Sequence, residues 1–140
     1  MSQENVEIVR SVYEAANRGD REHALGFLHP EIVIDATRRV INPTTYVGMD
    51  GAQQLFTDMD EVWEEFRLEQ IELIDAGSRV VVIGRLVGKG KASGVEVEQP
   101  IAGIWNVRGG RVVRVELGYT DRREALEAVG LSEQDAHADS

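Results

Sequence analysis

The hydrophobic residues of this 140-residue chain change their spacing near residue 66. Before that point they recur every three or four positions, which is typical of helices with one buried face. After it they fall in strand-like runs at 67–75, 79–89, 95–107 and 111–119. The pattern therefore predicts helices first and a long antiparallel meander second, the order of an α+β domain.

Three helices are predicted in the first half of the chain. The first follows an apolar stripe from Val6 and stops at Gly19, and a short second helix starts after Asp20 as its N-cap. The third has the clearest helical period and is expected over 51–66. Its buried face is predicted to carry four large side chains: Leu55, Phe56, Met59 and Trp63.

The remaining segments are predicted from turn and cap signals. The stretch "EIVIDA" indicates a short strand, and the segment "TRRVINPTTYVGMDG" after it indicates a loop. The pair Gly109 and Gly110 suits a two-residue hairpin turn with positive φ. A last helix is expected after Thr120 or Asp121. Residues 1–131 are predicted to form a single domain, and the polar tail 132–140 is expected to fray.

Composition narrows the function classes. Fifteen Lys and Arg against twenty-five Asp and Glu give a formal net charge of -10, which opposes binding to nucleic acid or to an anionic membrane surface. The absence of cysteine excludes disulfides and thiolate sites. No metal or organic cofactor is expected, because His23, His29 and His137 are dispersed. The polar N-terminus does not look like a signal peptide, so we predict a cytoplasmic protein.

Four segments carry a resemblance to a known family. They are "VYEAANRGD", "FLHPEIVID", "YVGMDGAQQLF" and "GGRVVRVELGYTDRREALEAVGL". In this order they resemble the SnoaL-like branch of the nuclear transport factor 2 superfamily, which also contains ketosteroid isomerase. The resemblance implies a cone-shaped fold with a curved antiparallel sheet wrapped around N-terminal helices, and a hydrophobic pocket for a small hydrophobic molecule. It also implies a homodimer, in line with the apolar face predicted for the long C-terminal strands.

The same resemblance draws attention to Asp35. It falls where ketosteroid isomerase carries its general base, on the first strand and facing into the cone. A carboxylate in an apolar cavity would have a raised pKa, as a base acting near neutral pH requires. The alternative is a structural ion pair with Arg38, Arg39 or Arg85.

The other catalytic residues of the isomerase pattern are missing. Val12 stands at the tyrosine position, with Tyr13 as its neighbour, and Ala102 or Gly103 stands where the acid is expected. Because one lost oxyanion donor typically reduces the rate by about 10² to 10³, steroid isomerisation is not expected. The Arg-x-Asp pattern of limonene epoxide hydrolase is also incomplete.

The predicted site therefore combines Asp35 as catalytic base with a group of candidate substrate-binding residues. These residues are Tyr13, Tyr46, Trp63, Arg85 and Trp105. The main hypothesis is proton-transfer chemistry of an isomerase, cyclase or lyase type. The alternative is a non-catalytic module for ligand binding or dimerisation, and a third option is an epoxide hydrolase-like enzyme.

Overall fold

A computed structural model describes residues 2–40 and 42–135 of the chain. The helices are α1 (Ser2–Asn17), α2 (Arg21–Leu25), α3 (Gly48–Val62) and α4 (Arg122–Ala128). The strands are β1 (Leu28–Ala36), β2 (Thr44–Val47), β3 (Trp63–Ala76), β4 (Arg79–Gly90), β5 (Glu96–Arg108) and β6 (Arg111–Glu116). No helix in these residues is long and apolar enough to cross a membrane.

Local signals account for the ends of the short helices. The carboxylate of Asp20 accepts a hydrogen bond from the backbone N–H of His23 at 3.1 Å, and Asp121 does the same for Glu124 at 2.9 Å. These contacts satisfy backbone donors that a helix start leaves free. Gly19 has a positive φ, as its predicted role in ending α1 requires. The predicted caps of α2 and α4 are therefore confirmed.

The third helix ends earlier than the sequence pattern predicts. It closes at Val62, and Trp63 is the first residue of β3, with an extended φ of −115°. The pairing of β3 with β4 is irregular between Trp63 and Glu65, so Trp63 and Phe66 lie opposite Gly90 and Gly88. This bulge places two large side chains three residues apart on the same strand face. The prediction of a helix to residue 66, with Trp63 buried on it, is wrong because the bulge imitates helical spacing.

The strands form one open sheet in the order β2-β1-β6-β5-β4-β3. The predicted meander from β3 to β6 is confirmed, since each of these strands pairs antiparallel with the next. Two features differ from the prediction. The expected loop after β1 contains the short strand β2, and β1 pairs in parallel with β6. The sheet is therefore mixed, with one parallel pair among antiparallel ones.

The sheet has two different faces. Its inner face packs against α1, α2 and α3 around the main hydrophobic core. Its outer face carries a smaller apolar patch that packs against α4. The patch consists of Ile74, Val81, Ala102 and Ile104, and α4 contributes Ala125 and Leu126. The apolar face predicted to drive dimerisation is thus partly covered by the chain's own last helix.

The predicted fraying of the tail falls mostly on residues 136–140, including His137, which lie outside the described residues. The preceding residues form a turn in which the backbone N–H of Ser132 donates to Asp135 Oδ2 at 3.0 Å.

Candidate functional site

A partly enclosed apolar cavity of about 80 Å³ lies between the inner face of the sheet and the three N-terminal helices. Ile34, Val115 and Trp105 form part of its wall from three adjacent strands, and the strand pairings place them in one row. Leu55 and Phe56 of α3 line it from the helical side. All of its lining residues are apolar, so the cavity suits a hydrophobic group and contains no acid or base.

Trp105 provides a polar group in this region. Its indole Nε1 is buried and makes no hydrogen bond of regular geometry in the described part of the chain, although it lies close enough to the Tyr13 hydroxyl to act on the pKa of that group. A buried donor without a partner costs about 1–3 kcal/mol, so such groups usually have a ligand, a water or a functional reason. The indole N–H is thus a poorly satisfied donor that lies behind the apolar surface of the cavity.

Tyr13 packs against the same indole. The two ring centroids are 5.2 Å apart and the ring planes are tilted by 46°. Burial raises the pKa of the Tyr13 hydroxyl, and the neighbouring indole N–H acts in the opposite direction. Tyr13 therefore remains neutral at physiological pH and does not supply a base.

An ion pair between α2 and α3 lies on the outer side of the cavity wall that contains Phe56. Arg21, at the start of α2, makes two hydrogen bonds of 2.7 Å each to Asp60 of α3. Its guanidinium lies 4.8 Å from the centre of the Phe56 ring, which lines the cavity. The paired hydrogen bonds raise the pKa of Arg21 and lower that of Asp60. We call Arg21, Asp60 and Phe56 the strap, because they tie α2 to α3 over the cavity.

Asp35 does not line the cavity, because Ile34 and Ala36 beside it take the inner positions of β1. Its carboxylate accepts hydrogen bonds from the backbone N–H of Thr37 at 2.9 Å and from the Thr37 hydroxyl at 2.5 Å. Arg114 lies 3.3 Å away and Arg38 3.6 Å away. The Thr37 hydrogen bonds, followed by the charges of Arg38 and Arg114, hold the pKa of Asp35 below its usual value.

The expectation of a raised Asp35 pKa is therefore wrong, and the contacts match the ion-pair alternative. Arg38 was among the proposed partners, but Arg114 was not. Its approach depends on the parallel pairing of β1 with β6, which places Asp35 opposite Glu116. Short-range sequence patterns contain no signal for that pairing.

The remaining predicted site residues lie apart from the cavity. Arg85 is on the outer face and donates to Glu98 at 2.9 Å, so the described contacts do not join it to Asp35. Tyr46 is buried, but its hydroxyl donates to Asp58 at 2.6 Å and accepts from Arg39 at 3.0 Å. Trp63 is half-buried against Gly88 of β4. Of the predicted group, the structure brings together only Tyr13 and Trp105.

The sequence analysis missed the strap and most of the cavity lining. Asp60 lies on the charged face of the third helix, a pattern that is typical of solvent exposure, and nothing near Arg21 in the sequence indicates a partner 39 residues away. Leu55, Phe56 and Met59 are predicted to be buried but are only partly buried, and a helical stripe does not distinguish a cavity wall from solid packing. Within the described residues, no group of three or more acidic or histidine side chains could hold a metal.

Solved structures with the same fold support this architecture. A candidate polyketide cyclase from Xanthomonas campestris pv. campestris is 22% identical, with a TM-score of 0.75 over 85% of this chain and 92% of that chain. TerC, co-crystallized with polyporic acid, is 24% identical, with a TM-score of 0.72 over 81% and 89%. A nuclear transport factor 2-like protein of unknown function from Burkholderia pseudomallei is 25% identical, with a TM-score of 0.73 over 91% and 98%.

The family assignment comes from the sequence itself. No curated protein gives a significant match to the chain. The model of the SnoaL-like domain, however, matches residues 9–115, which is most of the chain and includes β1, α3, β3 to β5 and all of β6 except its last residue. Together with the α+β architecture and the resemblance to solved structures, this match shows that the chain belongs to the SnoaL-like domain family.

Proposed function

We propose that the cavity binds a small, largely apolar molecule that presents one hydrogen-bond acceptor to Trp105. The observation that carries this proposal is a cavity lined only by apolar residues, with Trp105 in its wall and the buried indole Nε1 of that residue behind the wall, without a hydrogen bond of regular geometry. The ring of Trp105 has to turn to present Nε1 to a bound acceptor. A carbonyl or ether oxygen would supply the missing acceptor, while the apolar body of the ligand would replace empty space.

The size of the cavity in this conformation limits the size of the ligand. A volume of about 80 Å³ is smaller than the engineered cavity of about 150 Å³ that binds benzene. A larger ligand therefore requires movement of the helical wall, where Phe56 lies under the strap. TerC, which has the same fold, was co-crystallized with polyporic acid, and this supports a small organic molecule as the class of ligand.

The proposal can be tested with two ligands of the same shape. Cyclopentanone carries a carbonyl oxygen, and methylenecyclopentane replaces it with a carbon that accepts no conventional hydrogen bond. Wild-type protein should bind the ketone about tenfold more tightly, since one hydrogen bond is worth about 1–1.5 kcal/mol. Trp105→Phe should remove this preference and keep binding of the hydrocarbon. NMR titration measures these affinities. The proposal is contradicted if neither ligand shifts the resonances of the cavity residues, or if Trp105→Phe still prefers the ketone.

A catalytic role for Asp35 in isomerase, cyclase or lyase chemistry stays a prediction, as does epoxide hydrolysis. Its low pKa and its bonds to Thr37 make it a weak proton acceptor, which favours binding without catalysis. We therefore expect Asp35→Asn to lower the melting temperature and to leave turnover of any substrate nearly intact. A fall in turnover of about 10² or more with unchanged stability would support the catalytic assignment instead.

The homodimer and the cytoplasmic location also stay predictions. The outer face of the sheet supports pairing less directly than expected, because α4 covers its apolar patch. Light scattering at micromolar concentration tests the dimer, and a monomeric mass would contradict it.

A further inference from the structure

A second concave site lies at the hairpin between β5 and β6, away from the apolar cavity. It is an open groove of about 570 Å³, within the range of small-molecule sites. The strand β1 contributes two of its lining residues and the hairpin contributes the others. They are His29, Glu31, Arg108, Gly109, Arg111 and Val113.

The groove lies beside an interruption in the pairing of β1 with β6. Leu28 lies opposite Val112, but the next paired residue of β1 is Val33, which lies opposite Arg114. Four residues of β1 thus face one residue of β6. Pro30 lies in this stretch, and because it has no backbone N–H it cannot donate to the ladder. The regular pairing is lost here, and the side chains on either side of the gap line the groove.

The hairpin turn places two arginines face to face. Gly109 and Gly110 have φ values of 58° and 81°, which a two-residue turn of this kind requires. Arg108 and Arg111 are therefore directly opposite each other in the ladder. Like charges in this relation are destabilising, so the pair weakens the hairpin unless an anion neutralises it.

These two arginines differ from the other cations of the chain. Thirteen of the fifteen Lys and Arg make a hydrogen bond or an ion pair with their side chains. Within the described residues, Arg108 and Arg111 are the two that make neither. Acidic side chains are in excess on this chain, with a net charge of -10, so the shortage of partners is local.

The β1 side of the groove adds one donor and one acceptor. His29 Nδ1 accepts a hydrogen bond from the backbone N–H of Glu31 at 3.0 Å, which leaves Nε2–H of the neutral ring free to donate. The carboxylate of Glu31 makes no ion pair with either arginine in the described residues. With a neutral histidine, the lining side chains therefore keep one formal positive charge.

We propose that this groove binds the oxyanion group of a small anionic molecule, a phosphate or a carboxylate, between Arg108 and Arg111. Planar guanidinium groups match the oxygen geometry of both anions and bind them through paired hydrogen bonds. Binding would also relieve the repulsion between the two arginines. Nothing in this site depends on the apolar cavity, so the two sites can be tested separately.

Inorganic phosphate is the first probe, titrated against chloride at constant ionic strength. The backbone amides of Gly109 and Gly110 should show saturable NMR shifts with phosphate and none with chloride. Arg108→Gln and Arg111→Gln should each weaken phosphate binding at least fivefold. Arg123→Gln removes the same charge from an exposed position on α4 and should leave binding unchanged.

Glu31→Gln provides an independent test, because removal of the opposing carboxylate should tighten phosphate binding about threefold or more. Phenyl phosphate and benzoate then distinguish the two sources of oxyanion, with the tighter ligand identifying the preferred group. The proposal is overturned if none of these anions produces saturable NMR shifts. It is also overturned if Arg123→Gln weakens binding as much as the two hairpin variants, which would indicate a general charge effect.

Discussion

Two adjacent rows of side chains cross the same three strands and have opposite character. One row, on the inner face, consists of Ile34, Val115 and Trp105 and lines the apolar cavity. The next row, on the outer face, consists of Asp35, Glu116 and Ile104. A shift of one residue along each strand therefore separates a site without charge from a row with two carboxylates.

The outer carboxylates belong to a connected network. Arg114 approaches both Asp35 and Glu116 at 3.3 Å, and Tyr119 donates to Glu116 at 2.9 Å. The guanidinium of Arg38 lies 4.3 Å from the centre of the Tyr119 ring. Charge is stabilised here because each ionised group meets an opposite charge or a donor. The inner row offers no such partner. Whether a carboxylate is stabilised therefore depends on the face of the sheet it lies on more than on its neighbours in the sequence.

The largest effect is expected when the carboxylate is moved to the inner row. Ile34→Asp places a charge among apolar side chains, where Ile34 is 4% exposed. An unpaired buried charge typically costs about 3–5 kcal/mol, which is a large part of the stability of a domain this size. We expect a loss of that order in the free energy of unfolding, measured with urea and circular dichroism.

Val33→Asp is the matched control, because it introduces the same carboxylate at the neighbouring outer position. Val33 lies opposite Arg114 in the sheet and is partly buried. We expect this variant to lose only about 1 kcal/mol. Equal losses in the two variants would show that the faces do not differ in their tolerance of charge.

A smaller effect is expected when the outer carboxylate is neutralised. The pKa of Asp35 is lowered in the folded protein, while an unfolded Asp titrates at about 3.9. The ionised group therefore stabilises the fold fully above the unfolded pKa, and this contribution is lost as the pH falls through the folded pKa. Asp35→Asn should be about 1 kcal/mol less stable than wild type at pH 7, because the arginine partners are partly exposed.

The difference between wild type and Asp35→Asn should shrink as the pH falls from above the unfolded pKa of about 3.9 through the lower pKa of the folded state. Urea unfolding between pH 7 and pH 2.5 measures it. Glu14→Gln, which removes an exposed carboxylate from α1, should show a smaller pH-dependent difference from wild type. A difference for Asp35→Asn that is constant with pH would contradict the lowered pKa.

Local signals predicted much of the fold, and non-local pairing explains most of what they missed. The caps at Asp20 and Asp121 and the Gly109–Gly110 turn depend on a few consecutive residues, so the sequence specifies them directly. The parallel pairing of β1 with β6 joins segments about 80 residues apart and has no local signature. Without it, the contact of Asp35 with Arg114 could not be predicted.

Two further limits are physical. Strand alternation assigned Trp105 to one of two faces but could not identify the inner one, since both faces of β5 carry apolar residues. The bulge at the start of β3 gave a strand segment the spacing of a helix. The cavity itself depends on how the helices pack over the sheet. A cavity could be expected from the family resemblance, but the residues that line it could not be predicted from the sequence.

The smallest effect on stability is expected at the strap, where the charged groups lie outside the cavity wall. Asp60→Asn removes the ion pair with Arg21 and should reduce the free energy of unfolding by only about 0.5 kcal/mol, as expected for a partly exposed pair. Its effect on ligand entry should be larger, because Arg21 also covers the ring of Phe56. We expect cyclopentanone to associate several-fold faster while its Kd changes little, since loosening the wall speeds entry and exit alike. NMR exchange measurements give both rates.

Arg18→Gln is the control, because Arg18 pairs with Asp20 at 3.8 Å and has no described contact with Phe56. The expectation is contradicted if Asp60→Asn weakens binding without changing the entry rate. The ion pair would then stabilise the complex with the ligand, and a charge outside the cavity would affect affinity.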